Sequence, residues 1–166
     1  MARHELEGFI ERWNRHASNV TNLLRALPSH QYDFRPDAGG RSLGELAWHL
    51  AELEAYMTDG VAHGGFDFKR RPPGVERPRE VAALAPGYER MHQDALARLA
   101  SLTDADLDRT IPFFDGRPMP IREVLMTAML MHSVHHAGQL TLLCRLAGGT
   151  PPGAYGPTRE VSRAAR

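Results

Sequence analysis

Three histidines fall within five residues of the segment Met131–Leu140, MHSVHHAGQL. Burying several imidazoles on an apolar helix face requires partners that such a face does not offer. An α-helix advances about 100° per residue, which sets His136 roughly 40° from His132 and one turn further along. On the same count Ile121, Leu125, Ala128, Gln139, Leu143 and Leu146 fall within roughly 40° of His132, whereas His135 lies roughly 100° from His136. The spacing therefore predicts His132 and His136 in the middle of the inward face and His135 at its edge. An i, i+4 pair of imidazoles can chelate one metal ion, but two ligands rarely make a catalytic site. The other histidine centred on a core stripe is His49, in SLGELAWHLAELE, three residues after Leu46 and four before Leu53. If the two helices are neighbours, His49, His132 and His136 converge as a three-nitrogen site with one or more positions open to water or substrate.

A divalent ion on three neutral ligands keeps most of its charge and is a strong Lewis acid. Such an ion can lower the pKa of a bound thiol and hold the thiolate beside an electrophile. It can also activate water, but a hydrolase normally adds a carboxylate base, and spacing fixes none here. Glu45 and Glu52 flank His49 by one turn and read as a cap and a solvated charge. Gln139 shares the face of His132 and can orient a ligand or bond to another helix. Cys144 has no inward histidine at nucleophile–base spacing. His4, His16, His30, His63 and His92 read as solvated, with His63 on a glycine-rich loop near a site mouth. Trp48, Tyr56, Phe66, Phe68, Phe113 and Phe114 can wall a pocket or simply fill a core. Arg35, Arg70 and Arg71 can draw an anionic substrate, although solvated surface charge is the plainer account.

These residues need helices to carry them. Apolar residues recur at three- and four-residue steps from about Arg3 to Leu27. A turn-rich loop follows, and Ser42-Leu43-Gly44-Glu45 fits a capping box that opens a second helix, fading near Asp59-Gly60. After the glycine- and proline-rich linker His63–Pro78, a third helix covers roughly Gly87 to Leu102, with Pro86 either beginning it or kinking one that starts near Arg79. Asp115-Gly116 signals a hairpin, but Pro112, Pro118 and Pro120 limit it to a small irregular one. A fourth helix runs from about Ile121 to Leu146 and ends at Gly148-Gly149. Four amphipathic helices predict an all-α four-helix bundle with long crossover loops. The whole chain, 1–166, reads as one domain with a loop-like tail from about residue 148.

The 20 basic and 20 acidic residues balance. That removes the basic footprint of a nucleic-acid binder and leaves a small molecule as the expected partner. One cysteine excludes an internal disulfide and fits a reducing compartment. No signal core or bilayer-length apolar run is present, so the expectation is a soluble cytoplasmic protein with no membrane partner.

SLGELAWHLAELE paired with the later HSVHHAGQL, followed by a glycine-rich end and TPPGAYG, resembles the DinB/YfiT-like superfamily. The resemblance spans nearly the whole chain, including DFRP before the second helix and the hairpin before the fourth. It implies a four-helix bundle binding a divalent metal through three histidines, which fall on His49, His132 and His136. Zinc, nickel, iron and manganese all suit imidazole ligands. Family members with known activity include metal-dependent thiol S-transferases and isomerases that use low-molecular-weight thiols such as bacillithiol or mycothiol. Homodimers are common among them, and the superfamily name records induction after DNA damage. The resemblance therefore implies transfer of a small thiol to an electrophile. The alternatives are a non-catalytic metal-binding stress-response protein and a metal-dependent hydrolase.

Overall fold

The computed structural model describes residues 4–67 and 69–156, so Phe68 and the end of the tail lie outside the described residues. Helix α1 spans Glu5–Arg25. Its opening amides are satisfied from elsewhere in the chain: Glu5 and Leu6 donate to the Asp104 carboxylate, at 3.2 and 2.9 Å. An anion at a helix start also complements the helix dipole.

Helix α2 spans Leu43–His63 and opens with the capping box, the Ser42 hydroxyl accepting from the Glu45 amide and the Glu45 carboxylate from the Ser42 amide. The preceding loop is bonded to this start. Leu43 donates to the Phe34 carbonyl at 2.8 Å and Gly44 to the Tyr32 carbonyl at 2.9 Å. The helix continues past the expected fade at Gly60. That glycine lies under the Phe66 ring, 2.3 Å from where a Cβ would sit, so it makes room for packing. The true stop is Gly64, whose φ of 71° is the left-handed C-cap conformation open to glycine.

A 3₁₀ turn at Val81–Ala83 leads into α3, Leu84–Leu99. Pro86 sits in the first turn of α3, where its missing N–H leaves no intrahelical bond unmade. The hairpin is as small as the prolines require: β1 (Thr110–Pro112) pairs antiparallel with β2 (Pro118–Pro120), with Ile111 opposite Met119.

The fourth helix, α4, is continuous but not uniform. Ile121–Glu123 is α-helical, Val124–Met131 is π-helical, and His132–Leu146 is α-helical again. The buried pairs Val124-Leu125 and Met129-Leu130 are five residues apart, the step of an i→i+5 ladder. The π-helical stretch advances the chain less per residue than the uniform 100° count assumed. Downstream the buried line runs through Ser133, His136, Leu140 and Cys144, while His132, Gln139 and Leu146 are exposed. The inward face is thus centred on His136, and His132 stands at its edge rather than in its middle.

The four helices form a bundle in which α2 packs between α3 and α4, and α1 packs between the same two on the other side. Consecutive helices α1 and α2 therefore lie across the bundle from each other, as do α3 and α4. This topology places His49 on α2 directly beside α4. No helix among the described residues is long and apolar enough to cross a membrane.

Candidate metal centre

The packing of α2 on α4 brings His49, His132 and His136 together, with one ligating atom from each within 4.8 Å of the others. The ring centroids of His49 lie 4.8 Å from His136 and 5.9 Å from His132, and the two α4 rings are 4.6 Å apart. The Nε2 atoms of His132 and His136 face each other at 2.9 Å.

The outward nitrogens are engaged. His49 donates through Nδ1 to the Glu52 carboxylate at 3.2 Å, and Arg77 donates to the other Glu52 oxygen at 3.0 Å. His136 Nδ1 lies 2.7 Å from the Gln139 amide oxygen. A hydrogen bond to the Ala128 backbone supports His132. Acceptors on Nδ1 fix the proton there and turn the Nε2 lone pair inward, the arrangement that supporting partners impose on metal-binding histidines. Two such lone pairs facing each other at 2.9 Å repel unless a proton or a cation lies between them. The donor set therefore fits a divalent ion, and the cluster can hold one.

Glu52 was expected to be a solvated charge; instead it orients His49. Burial works against its ionisation, but hydrogen bonds from His49 and Arg77 outweigh that and hold its pKa below the ordinary carboxylate range. The i, i+3 spacing from His49 was visible in the sequence. Arg77, which fixes Glu52, comes from the linker and carried no signal. Gln139 bonds to His136 on its own helix. His135 is exposed, its ring 5.1 Å from that of His136.

Burial lowers the pKa of His136 to about 4, and also lowers those of His132 and His16. Imidazoles with depressed pKa values are neutral, and so ready to ligate, at neutral pH. In the unfolded chain each takes up a proton near pH 6.5, whereas the folded state resists protonation. The stability they contribute is therefore complete above pH 6.5 and is lost as pH falls toward about 4. Metal-free protein should melt at progressively lower temperature across that window. A melting temperature that stays flat between those two pH values would contradict the assignment.

Two histidines expected in solvent are buried. His16 bonds through Nε2 to Ser133 Oγ at 2.8 Å, joining α1 to the residue next to His132. His92 bonds through Nδ1 to Glu54 at 2.8 Å and through Nε2 to Asn14 Oδ1 at 2.8 Å. Helical periodicity alone could have placed both, since each falls near an apolar stripe. His4, His30 and His63 are exposed.

The arginines considered for anion capture are tied into loops. Arg70 donates to Asp59 at 2.6 Å and to the Gly65 carbonyl, and Arg35 to the Gly40 carbonyl and to Glu45, while Arg71 lies 3.9 Å from Glu76. Trp48 is core and donates to the Val75 carbonyl. Phe66, Phe113 and Phe114 pack on one another with tilted or edge-to-face rings. Cys144 is buried, and burial raises its thiol pKa, which suits packing rather than nucleophilic chemistry.

Beside the triad lies an open cleft of about 380 Å³, lined by His136 and Gln139, by Pro36, Asp37, Gly40 and Arg41 of the loop before α2, and by leucines of α2 and α4. His136 thus connects the cluster to space a small molecule can enter.

Residues 12–140 match the DinB superfamily. The chain belongs to that superfamily. The uncharacterized protein YrdA of Bacillus subtilis strain 168 is 31% identical, over 93% of this chain and 90% of that protein. A DinB-like protein from Bacillus cereus ATCC 10987, of known crystal structure, is 31% identical with a TM-score of 0.76, over 93% of this chain and 100% of that one. YjoA, a DinB-like protein of Bacillus subtilis, is 23% identical with a TM-score of 0.71, over 86% and 93% of the two chains, a likeness of fold alone.

Proposed function

We propose that this DinB-superfamily chain is a metal-dependent enzyme that transfers a low-molecular-weight thiol to an electrophilic small molecule, with His49, His132 and His136 as the metal ligands. The observation that carries this reading is the convergence of three imidazoles beside an open cleft, with the outer nitrogens of His49 and His136 held by Glu52 and Gln139. A divalent ion bound there would supply Lewis acidity, favouring the thiolate form of a thiol that reaches it.

The protein's own residues do the rest. Glu52, fixed by Arg77, orients His49 and raises its basicity; Gln139 does the same for His136. The leucines of the cleft give the space beside His136 an apolar wall. Glu52 is occupied by His49 and Arg77, so it is not free as a general base for water, and this favours transfer over hydrolysis. The open cleft likewise favours a catalytic site over a metal that only ties helices together.

Cobalt-loaded protein titrated with small thiols tests the binding step. A thiolate-to-metal absorption band, together with metal-dependent conjugation of the thiol to a generic electrophile, is the expected result. Conjugation at the same rate after chelation of the metal would sink the mechanism.

A further inference from the structure

The cleft beside the triad has a chemical character of its own. One wall is apolar, made by Pro36, Leu46, Leu142, Leu143 and Leu146. Two of these, Leu142 and Leu146, are 59% and 55% exposed, unusual for leucines on a helix whose other face is core. The lining also includes Arg41. Among the described residues no carboxylate pairs with Arg41, whereas Arg35, Arg70 and Arg77 each have one.

The backbone that carries Arg41 is held on both sides. Gly40 before it accepts from the Arg35 guanidinium at 3.2 Å and donates to the Asp37 carbonyl at 3.0 Å. Ser42 after it is the N-cap of α2. Asp37 lines the same cleft, but its carboxylate accepts the Gly39 amide at 3.1 Å and closes the turn. The loop thus fixes the base of a cationic side chain whose head has no carboxylate partner among the described residues.

Resting on the reading of the triad as a metal centre, we propose that this cleft selects an amphiphilic anion: a small molecule with an apolar body laid along the leucines of α4 and a carboxylate read by Arg41. A guanidinium suits this task because it pairs with a carboxylate through two parallel hydrogen bonds. Such a molecule can present a thiol or another donor at its far end to the open side of the triad. Arg41 is then a specificity residue and plays no part in holding the metal.

The cleft is tested first without metal, by amide NMR shifts of Gly40, Leu143 and Leu146 as octanoate or octanol is titrated into the full chain. The expected result is about tenfold tighter binding of octanoate, weakening with added salt. Arg41→Gln should abolish the preference and Arg41→Lys should retain part of it. Equal binding of the two probes, or a preference unchanged in Arg41→Gln, overturns the proposal. A second arm uses cobalt-loaded protein with mercaptohexanoate and mercaptohexanol, read by the thiolate-to-cobalt band. A preference for mercaptohexanoate that disappears in Arg41→Gln supports the proposal, and equal affinity counts against it. An octanoate preference without any thiolate band would leave the cleft assignment standing and remove the thiol-transfer reading instead.

Discussion

Replacing His136 by alanine is expected to abolish metal retention, because this residue is the most buried of the three and the one that also lines the cleft. The loss should exceed that from Glu52→Gln, for which a reduction of about 10- to 100-fold in metal affinity is expected, the range typical of a partner that orients a ligand. The glutamine keeps the shape of Glu52 but not the ionised acceptor that fixes the His49 tautomer and holds Arg77. Both variants should fold, since the exchange at Glu52 is nearly isosteric and His136 adjoins an open cleft. Competition with a chromophoric chelator gives the affinities, and elemental analysis gives the occupancy. Full occupancy in His136→Ala would remove this residue from the ligand set. An unchanged affinity in Glu52→Gln would return that glutamate to the role of a surface charge.

The bundle and its cap were legible in the sequence because they rest on short-range rules. Ser42 and Glu45 satisfy amides three residues apart, and periodicity marks α1 and α2 without knowledge of their neighbours. The convergence of His49 with His132 and His136 was legible in outline, because both stripes face inward and α2 and α4 pack together. The phase of α4 was not. Its π-helical stretch, Val124–Met131, is built from ordinary apolar residues, and a 100° count cannot register the slower advance of an i→i+5 ladder. Long-range partners were equally hidden. Arg77 reaches Glu52 across 25 positions, and Asp104 supplies the first amides of α1 from nearly 100 positions away. Nothing local to either residue specifies such a contact.

The largest of these hidden effects is expected at Glu54, which is fully buried and accepts from three side chains on two other helices at once. Trp13 Nε1 of α1 donates to it at 2.9 Å, the Tyr88 hydroxyl of α3 at 2.5 Å and His92 Nδ1 of α3 at 2.8 Å. The network sits at the boundary between the two apolar clusters of the bundle, one around Leu50, Ala51 and Tyr88 and the other around Trp13, Leu53 and Met57. Glu54→Ala would leave three donors without an acceptor in a dry interior, which costs about 3–5 kcal/mol, comparable with breaking a buried ion pair. For a chain of this size that corresponds to a melting temperature lowered by roughly ten degrees or more. Glu54→Gln keeps the volume and one acceptor oxygen and should lose less. Glu89→Ala removes the partner of Arg25 in an exposed pair and should change stability by no more than about 1 kcal/mol. A Glu54→Ala protein melting within a degree of the parent would show that water or repacking satisfies these donors. If the loss is as large as expected, the consequence reaches the histidine triad, because Glu54 fixes the register of α2 against α1 and α3. His49 lies five positions before it on the same helix, and a shift in that register would move one imidazole of the triad away from the other two.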